Sequence, residues 1–271
     1  MIQNLSTFGI IIPAGFAITS DAYWFYLKHN NLLEKLKIIM DQLLGSSDVK
    51  ILQSVGMQAR ELILQGDFPQ ELSIEILKAY KELSLRYNQQ ECDVAVRSSA
   101  TAEDLPTASF AGQQATYLNV HGTHTLLLSV KKCMASLFTD RAIFYRVQNK
   151  FDHFQVALSV GVQKMVRSDL ACSGVAFSLD TETGFRDIVE ISSSYGLGDS
   201  IVQGLVNPDE FHVHKKTLEL GFEPIIKKYL GNKETKIIYA KERTESVKVE
   251  EEERTKFSLT DQEILELSKF V

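Results

Sequence analysis

The sequence predicts an α+β fold with a helix-rich first half and a strand-rich second half. Between residues 20 and 90, apolar side chains recur every three to four positions, the period of an amphipathic helix. From Val156 to His214, short apolar runs are separated by Gly and Asp, the texture of strands joined by tight turns. Between these regions Val94-Ala95-Val96-Arg97 is a short apolar run that ends on an arginine, and a chain of small and hydroxylic residues follows it.

Taken in order, Gly9 to Thr19 is apolar but broken by Pro13 and Gly15, and reads as strand, turn, strand. Thr19 and Ser20 can cap the helix that follows, in which Leu32, Leu36, Ile39 and Leu43 share one face. A shorter helix is expected over Ser54 to Gln65. Asp67 and Pro69 open another, with Leu72, Ile76, Ala79 and Leu83 as its apolar stripe. The strand ending on Arg97 pairs with one starting near Ala115. Thr123 to about Lys150 reads as one long helix with Val130, Met134, Leu137 and Phe138 turned inward. Strands are then expected over Val156–Val166, Ala171–Leu179, Asp187–Ser194 and Glu210–His214, followed by polar, lysine-rich strands between Lys227 and Val249. Thr260-Asp261-Gln262-Glu263 has the spacing of a capping box, and its helix is expected to be cut short at Val271. The texture changes after Gln163-Lys164-Met165-Val166, which is the expected hinge. It separates a first lobe, 1–164, from a second, 165–271, that is expected to be incomplete at its C-terminus.

At 271 residues the chain can bury a sizeable core, and 44% hydrophobic with 24% charged residues is ordinary for a soluble protein. A net charge of −6 gives no global attraction to nucleic acid or to anionic lipid, so neither is expected as a partner. No apolar run approaches the length of a membrane span, and Met1-Ile2-Gln3-Asn4 does not open a secretory signal. Cys92, Cys133 and Cys172 are widely spaced and odd in number. They read as reduced thiols of a cytoplasmic protein.

Arg97 is the leading chemical candidate. A guanidinium at a strand end offers forked charged donors to phosphate, and the Ser98-Ser99-Ala100-Thr101 run beside it offers hydroxyls and accessible amides. A structural ion pair with Glu103 or Asp104 is the competing reading. Ser109-Phe110-Ala111-Gly112-Gln113 is either a flap over phosphates or a surface turn. At Gln163-Lys164-Met165 a departing strand can present backbone groups to an adenine edge, with Met165 on the purine face. The alternative is a strand end with a buried methionine. Tyr195-Gly196-Leu197-Gly198-Asp199 lacks the dinucleotide fingerprint and is either a nucleotide contact or a tight connection. His212 with His214, and His121 with His124, read as ordinary polar positions. Asp180, Glu182, Asp209 and Glu210 could bind magnesium but read as solvated turn carboxylates, so no metal ligand is assigned.

The stretch Val94 to Val120 resembles the N-terminal nucleotide-binding domain of phosphoenolpyruvate synthases. The likeness continues through Ser136–Ala142, Val160–Asp169, Ser173–Phe177, Leu179–Phe185, Tyr195–Gly198 and Val206–Phe211, in order along nearly the whole chain. Pyruvate, phosphate dikinases share the Arg97 segment but fit the later motifs less well. The resemblance implies an ATP-grasp fold in which two lobes clamp ATP and magnesium. It also implies a parent enzyme that turns ATP, pyruvate and water into AMP, phosphoenolpyruvate and phosphate through a phosphohistidine.

By the same resemblance Arg97 is the catalytic residue and holds the ATP phosphates. The loop with Ser109, Gly112 and Gln113 closes over them, and Gln163 and Met165 lie at the adenine. The phosphorylatable histidine, the pyruvate barrel, the magnesium ligands and a nucleotide-contacting lysine that precedes the segment matching Met1 to Gly15 are not in this sequence. The chain alone is therefore expected to be inactive, and the resemblance leaves room for a homodimeric whole enzyme. Two rival readings are a rifamycin-type antibiotic phosphotransferase with a similar ATP domain, and a non-catalytic module that keeps the fold.

Overall fold

A computed structural model describes residues 8–43, 48–100, 104–105, 108–109, 115–240 and 244–271. The chain divides after Met165 into two units: Pro13–Met165, and Val166–Val271 with Met1–Ile12. Helices and antiparallel sheets alternate in an α+β arrangement, helices first. No helix among the described residues is long and apolar enough to cross a membrane.

In the first unit, a single strand β1 (Gly15–Ile18) forms where two were expected, because the segment before Pro13 pairs with nothing regular. Helix α1 (Ser20–His29) then stops at a pair of asparagines. Asn30 donates from its side-chain amide to the Tyr26 and Asp67 carbonyls, both at 2.9 Å, and Asn31 turns left-handed with φ 51°. An asparagine tolerates that conformation better than most side chains, so a second helix, α2 (Leu32–Asp41), starts there in a new direction. Helix α3 (Val49–Gln65) begins earlier than its apolar pattern suggests, because the Asp48 carboxylate accepts from the Lys50 N–H at 2.8 Å and caps it. Helix α4 (Gln70–Arg86) follows, with Ile76, Tyr80 and Leu83 buried.

Strands β2 (Val94–Ala100), β3 (Asp104–Leu105), β4 (Ala108–Ser109) and β5 (Thr116–Val120) come next. The long helix expected from Thr123 to Lys150 is two helices, α5 (Thr123–Ala135) and α6 (Asp140–Gln148), joined by a 3-10 turn over Ser136–Phe138. Side chains force the break. Ser136 Oγ donates to the Cys133 carbonyl at 2.6 Å, Thr139 Oγ1 caps α6 through the Ala142 N–H, and Arg60 from α3 donates to the Phe138 carbonyl at 2.7 Å and to Asp140 Oδ1 at 2.9 Å. These local hydroxyl bonds compete with a continuous helix.

Strand β6 (Leu158–Lys164) completes a four-stranded antiparallel sheet in the order β1-β6-β2-β5. One face carries Val94, Val96, Leu158, Val160 and Val162, all buried, and packs on α1 and α5. Behind it, Arg146 of α6 is fully buried. Its Nε donates to His153 Nδ1 at 2.9 Å, its guanidinium lies 5.5 Å from the Phe138 ring centroid, and its two terminal nitrogens have no hydrogen-bond partner among the described residues. Burial lowers the Arg146 pKa to about 10, so it stays charged near neutrality. Burial first, and Arg146 second, hold His153 down to about 4.

The second unit carries β7 (Cys172–Phe177), β8 (Ile188–Tyr195), α7 (Asp199–Val202), β9 (Asp209–His214), α8 (Lys215–Glu219), β10 (Ile225–Tyr229), β11 (Thr235–Tyr239), β12 (Thr244–Lys248), α9 (Glu251–Arg254) and α10 (Asp261–Ser268). Its main sheet runs β10-β9-β8-β7, all antiparallel, and β11 pairs with β12. Val189, Ile191, Phe211 and Val213 pack against Ile264 of α10, whose capping box between Thr260 and Glu263 forms as expected.

Asp209 is no solvated turn carboxylate: it and Lys233 both have 0% side-chain exposure and form an ion pair at 2.5 Å. The second Asp209 oxygen accepts from both the Ser258 N–H and the Ser258 hydroxyl at 2.7 Å, and Gly231 N–H donates to the first at 2.9 Å. Every lone pair in reach is used, which is what allows a carboxylate to be buried. A side chain at Gly231 would meet the Pro208 carbonyl oxygen at 2.2 Å, so the loop closes over Asp209 only with glycine there.

Two predictions follow from these buried groups. Asp209→Ala leaves Lys233 unpaired and should lower the unfolding free energy by about 3–5 kcal/mol in urea melts. A loss below about 1 kcal/mol would mean that the pair is dispensable. Because His153 is neutral in the fold and titrates near 6.5 when unfolded, the unfolded chain binds more protons between pH 6.5 and 4, and stability falls as pH drops through that window. His153→Gln should flatten the decline by about 1–2 kcal/mol, allowing for the ring's partial exposure. Identical pH profiles for the two proteins would contradict this assignment.

Candidate functional site

The four-stranded sheet of the first unit has a second face, and its composition is unusual. Val94, Val96 and Ser98 of β2 point into the core, so alternation turns Ala95, Arg97 and Ser99 the other way. Register sets their neighbours: Ala95 lies opposite Gln163, Arg97 opposite Gly161 and Ser99 opposite Ser159 on β6, while Thr116 of β5 flanks Arg97 on its other side. On the far side of β6, Gly15 and Ala17 of β1 lie opposite Gln163 and Gly161. The face is therefore a shallow floor of glycine, alanine, serine and threonine, from which one arginine and one glutamine rise.

The Arg97 side chain is exposed and makes no hydrogen bond or ion pair among the described residues. The competing ion pair with Glu103 or Asp104 rests on side chains outside the described residues. The run after Arg97 divides by alternation. Ser98 is buried, and its hydroxyl accepts from the Ala115 N–H at 2.9 Å, so it staples the hairpin and does not face an anion. Ser99 shares the face of Arg97. Thr101 lies outside the described residues.

Gln163 is half-buried, and its side-chain amide donates to the Pro13 carbonyl at 3.1 Å, which holds the entrance of β1 against β6. Met165 is 8% exposed. Its N–H donates to the Asp93 carbonyl and that of Lys164 to the Ala14 carbonyl, both at 2.9 Å, so these two donors at the strand exit are already used. Ser109 lies in β4, whose two residues pair with β3 in the register Asp104–Ser109 and Leu105–Ala108. Gly112 and Gln113 lie outside the described residues.

The other candidates serve the fold. Asp180 builds the turn between β7 and β8: its carboxylate accepts from the Thr183 and Glu182 amides, and these bonds hold its pKa below the usual carboxylate range. Gly196 has φ 86°, and a side chain there would meet the Ile237 carbonyl oxygen at 2.6 Å, while Leu197 N–H donates to that same oxygen. The Tyr195–Asp199 stretch is thus a close connection against β11. His121 sits 3.1 Å from Asp93 and His214 bonds Thr217. Among the described residues no three His, Cys, Asp or Glu side chains converge to hold a metal, and the Arg97 face carries no carboxylate, so no residue is assigned to magnesium. Burial pushes the Cys133 thiol up to about 12, and Cys92 is buried as well.

Sequence reasoning named Arg97 and Gln163 as candidates but did not place Ala17, Ser159 and Gly161 on the same face. Their signal was the alternation in β6 together with its register against β2, which a single strand does not disclose.

A family model for the pyruvate phosphate dikinase AMP/ATP-binding domain matches residues 1–271. The chain belongs to this family. Relatives named phosphoenolpyruvate synthase include one from Aquifex aeolicus, 53% identical over 272 residues and covering 100% of this chain and 32% of the relative. Another, from Helicobacter pylori, is 51% identical over 274 residues, with 100% and 34% covered, and one from Escherichia coli is 48% identical over 274 residues, with 99% and 34% covered. The chain spans about a third of the length of these curated relatives.

Proposed function

We propose that this chain is the ATP-binding domain of a phosphoenolpyruvate synthase, and that Arg97 grips the nucleotide's phosphates. The observation that carries the reading is the exposed guanidinium of Arg97, unpaired among the described residues, on a floor of small side chains. A planar, permanently charged fork suits phosphate oxygens, and the low floor admits a ligand to it. As charge develops on the transferring phosphoryl group, a fixed guanidinium stabilises it without reorganisation.

The two units then act as the lobes of an ATP-grasp, with Ser109, Gly112 and Gln113 on the segment that covers the phosphates. Gln163 and Met165 lie towards the adenine, and Met165 acts by shaping the pocket wall from beneath, since its side chain is buried. Magnesium enters with the nucleotide, bound to phosphate oxygens. In the whole protein the domain supplies a phosphoryl group to a histidine carried elsewhere, and the overall reaction converts ATP, pyruvate and water to AMP, phosphoenolpyruvate and phosphate. This reading places the protein in the cytoplasm and leaves room for a homodimer.

Titration calorimetry of the intact polypeptide with Mg-ATP tests the proposal. Arg97→Ala should weaken ATP about 30- to 150-fold, the loss of a charge-assisted phosphate contact. Because Arg97 is exposed, its removal should leave stability within about 0.5 kcal/mol. Unchanged affinity would sink the assignment, and a large fall in melting temperature would make Arg97 a structural residue.

A further inference from the structure

Gly161 lies in the interior of β6, where glycine weakens a strand through lost backbone entropy and absent side-chain packing. Other glycines of the described chain have local reasons. Gly9, Gly122, Gly184, Gly196, Gly204 and Gly221 adopt positive φ. At Gly15, Gly56, Gly66, Gly174 and Gly231 an added Cβ would lie between 2.2 and 2.6 Å from another atom. Gly161 and Gly198 have neither reason, but Gly198 precedes a helix, whereas Gly161 lies inside a strand. Its φ is ordinary, and the nearest described atom to an added Cβ is the Arg97 carbonyl oxygen at 3.9 Å, an ordinary van der Waals separation.

A glycine inside a strand marks a bulge, a tight bend or the close approach of a ligand or another backbone. A bulge or a strand-breaking bend is excluded, because the registers of β6 against β1 and against β2 run unbroken and without a shift through Gly161. What remains is close approach. The position faces outward, directly opposite Arg97, with Ala17 on its other side. Directly paired side chains on one face of an antiparallel ladder stand about 4.5–5.5 Å apart at Cβ, so any side chain at 161 would occupy the space beside the arginine. Gln163 is two residues further along the same face, about 7 Å away.

We infer that Gly161 is a specificity-determining residue: it holds open the space in which the phosphate chain of a nucleoside triphosphate lies against Arg97. The inference rests on the nucleotide reading of this face. It assigns β6 two tasks on one side, a bare position under the phosphates and Gln163 towards the base. The glycine is kept for the volume it leaves empty.

The test substitutes valine, which favours strands and stands over the floor. In the intact polypeptide, Gly161→Val should weaken Mg-ATP at least about tenfold, since overpacking a fitted site is costly. Its melting temperature should stay level or rise, because a β-branched residue replaces glycine in a strand. Gly161→Ala should weaken ATP by a smaller factor. Arg97→Ala, measured in parallel, separates the two claims. If Arg97→Ala weakens binding as expected while Gly161→Val binds ATP normally, the glycine inference fails and the nucleotide reading stands. If neither substitution affects binding, both fail. If Gly161→Val lowers the melting temperature by several degrees, a neighbouring backbone segment fills the space and the inference is overturned.

Discussion

The register of β2 against β6 governs this site. With Val96 opposite Val162, and Arg97 opposite Gly161, one face of the ladder is a continuous apolar layer against the helices and the other is a low floor with a single cation. Side chains alternate with a period of two, so a slip of one residue would bury the guanidinium and expose the valines together. Neither outcome is tolerable, since an unpaired buried charge and a lost core layer each cost several kcal/mol. Folding of the first unit and presentation of Arg97 are thus one event. The staples at the hairpin, Ser98 to Ala115 and Gln163 to Pro13, secure the same alignment from both flanks.

Much of this was legible in the sequence, and the failures have physical causes. The pairing of the Arg97 strand with the one near Ala115, the strand run after Val156 and the capping box at Thr260 could all be read, because each depends on residues close in the chain. The Arg97 strand runs on to Ala100, however, so Arg97 lies within it and not at its end. Helix boundaries were missed where a side chain, and no change in apolar period, sets the end. Asn30 and Asn31 divide one expected helix, Ser136 and Thr139 divide another, and Asp48 starts α3 early. The segment Gly9 to Thr19 gave one strand where two were expected, since apolar character alone supplies no pairing partner. Asp209 was misjudged for a related reason. A carboxylate next to Pro208 looks like a turn residue until Lys233 and Ser258, distant in sequence, close around it. The candidate site was half legible: Arg97 announces itself by charge, whereas Gly161 acquires meaning only from what stands across the ladder.

Among the described residues each unit buries one strong cation, and the two are handled differently. Lys233 has a carboxylate partner whose remaining oxygen is fully engaged, so the network is self-sufficient. Arg146 has only a neutral imidazole and an aromatic face, with two terminal nitrogens unpaired among the described residues. The first arrangement fixes a loop. The second makes the packing of α6 depend on His153 remaining uncharged, which links a helix behind the Arg97 sheet to proton concentration.

The inequality of the two hydrophobic cores has a kinetic meaning. The first unit draws buried residues from every one of its six helices and from four of its strands, whereas the core of the second consists of Val189, Ile191, Phe211, Val213 and Ile264 with a few partly covered neighbours. Local opening is easiest where few apolar contacts must be broken. By that reasoning the second unit as a whole opens more readily than the first, whose strands carry Arg97 and Gly161. The candidate face thus sits on the unit whose shape is held by the larger buried core.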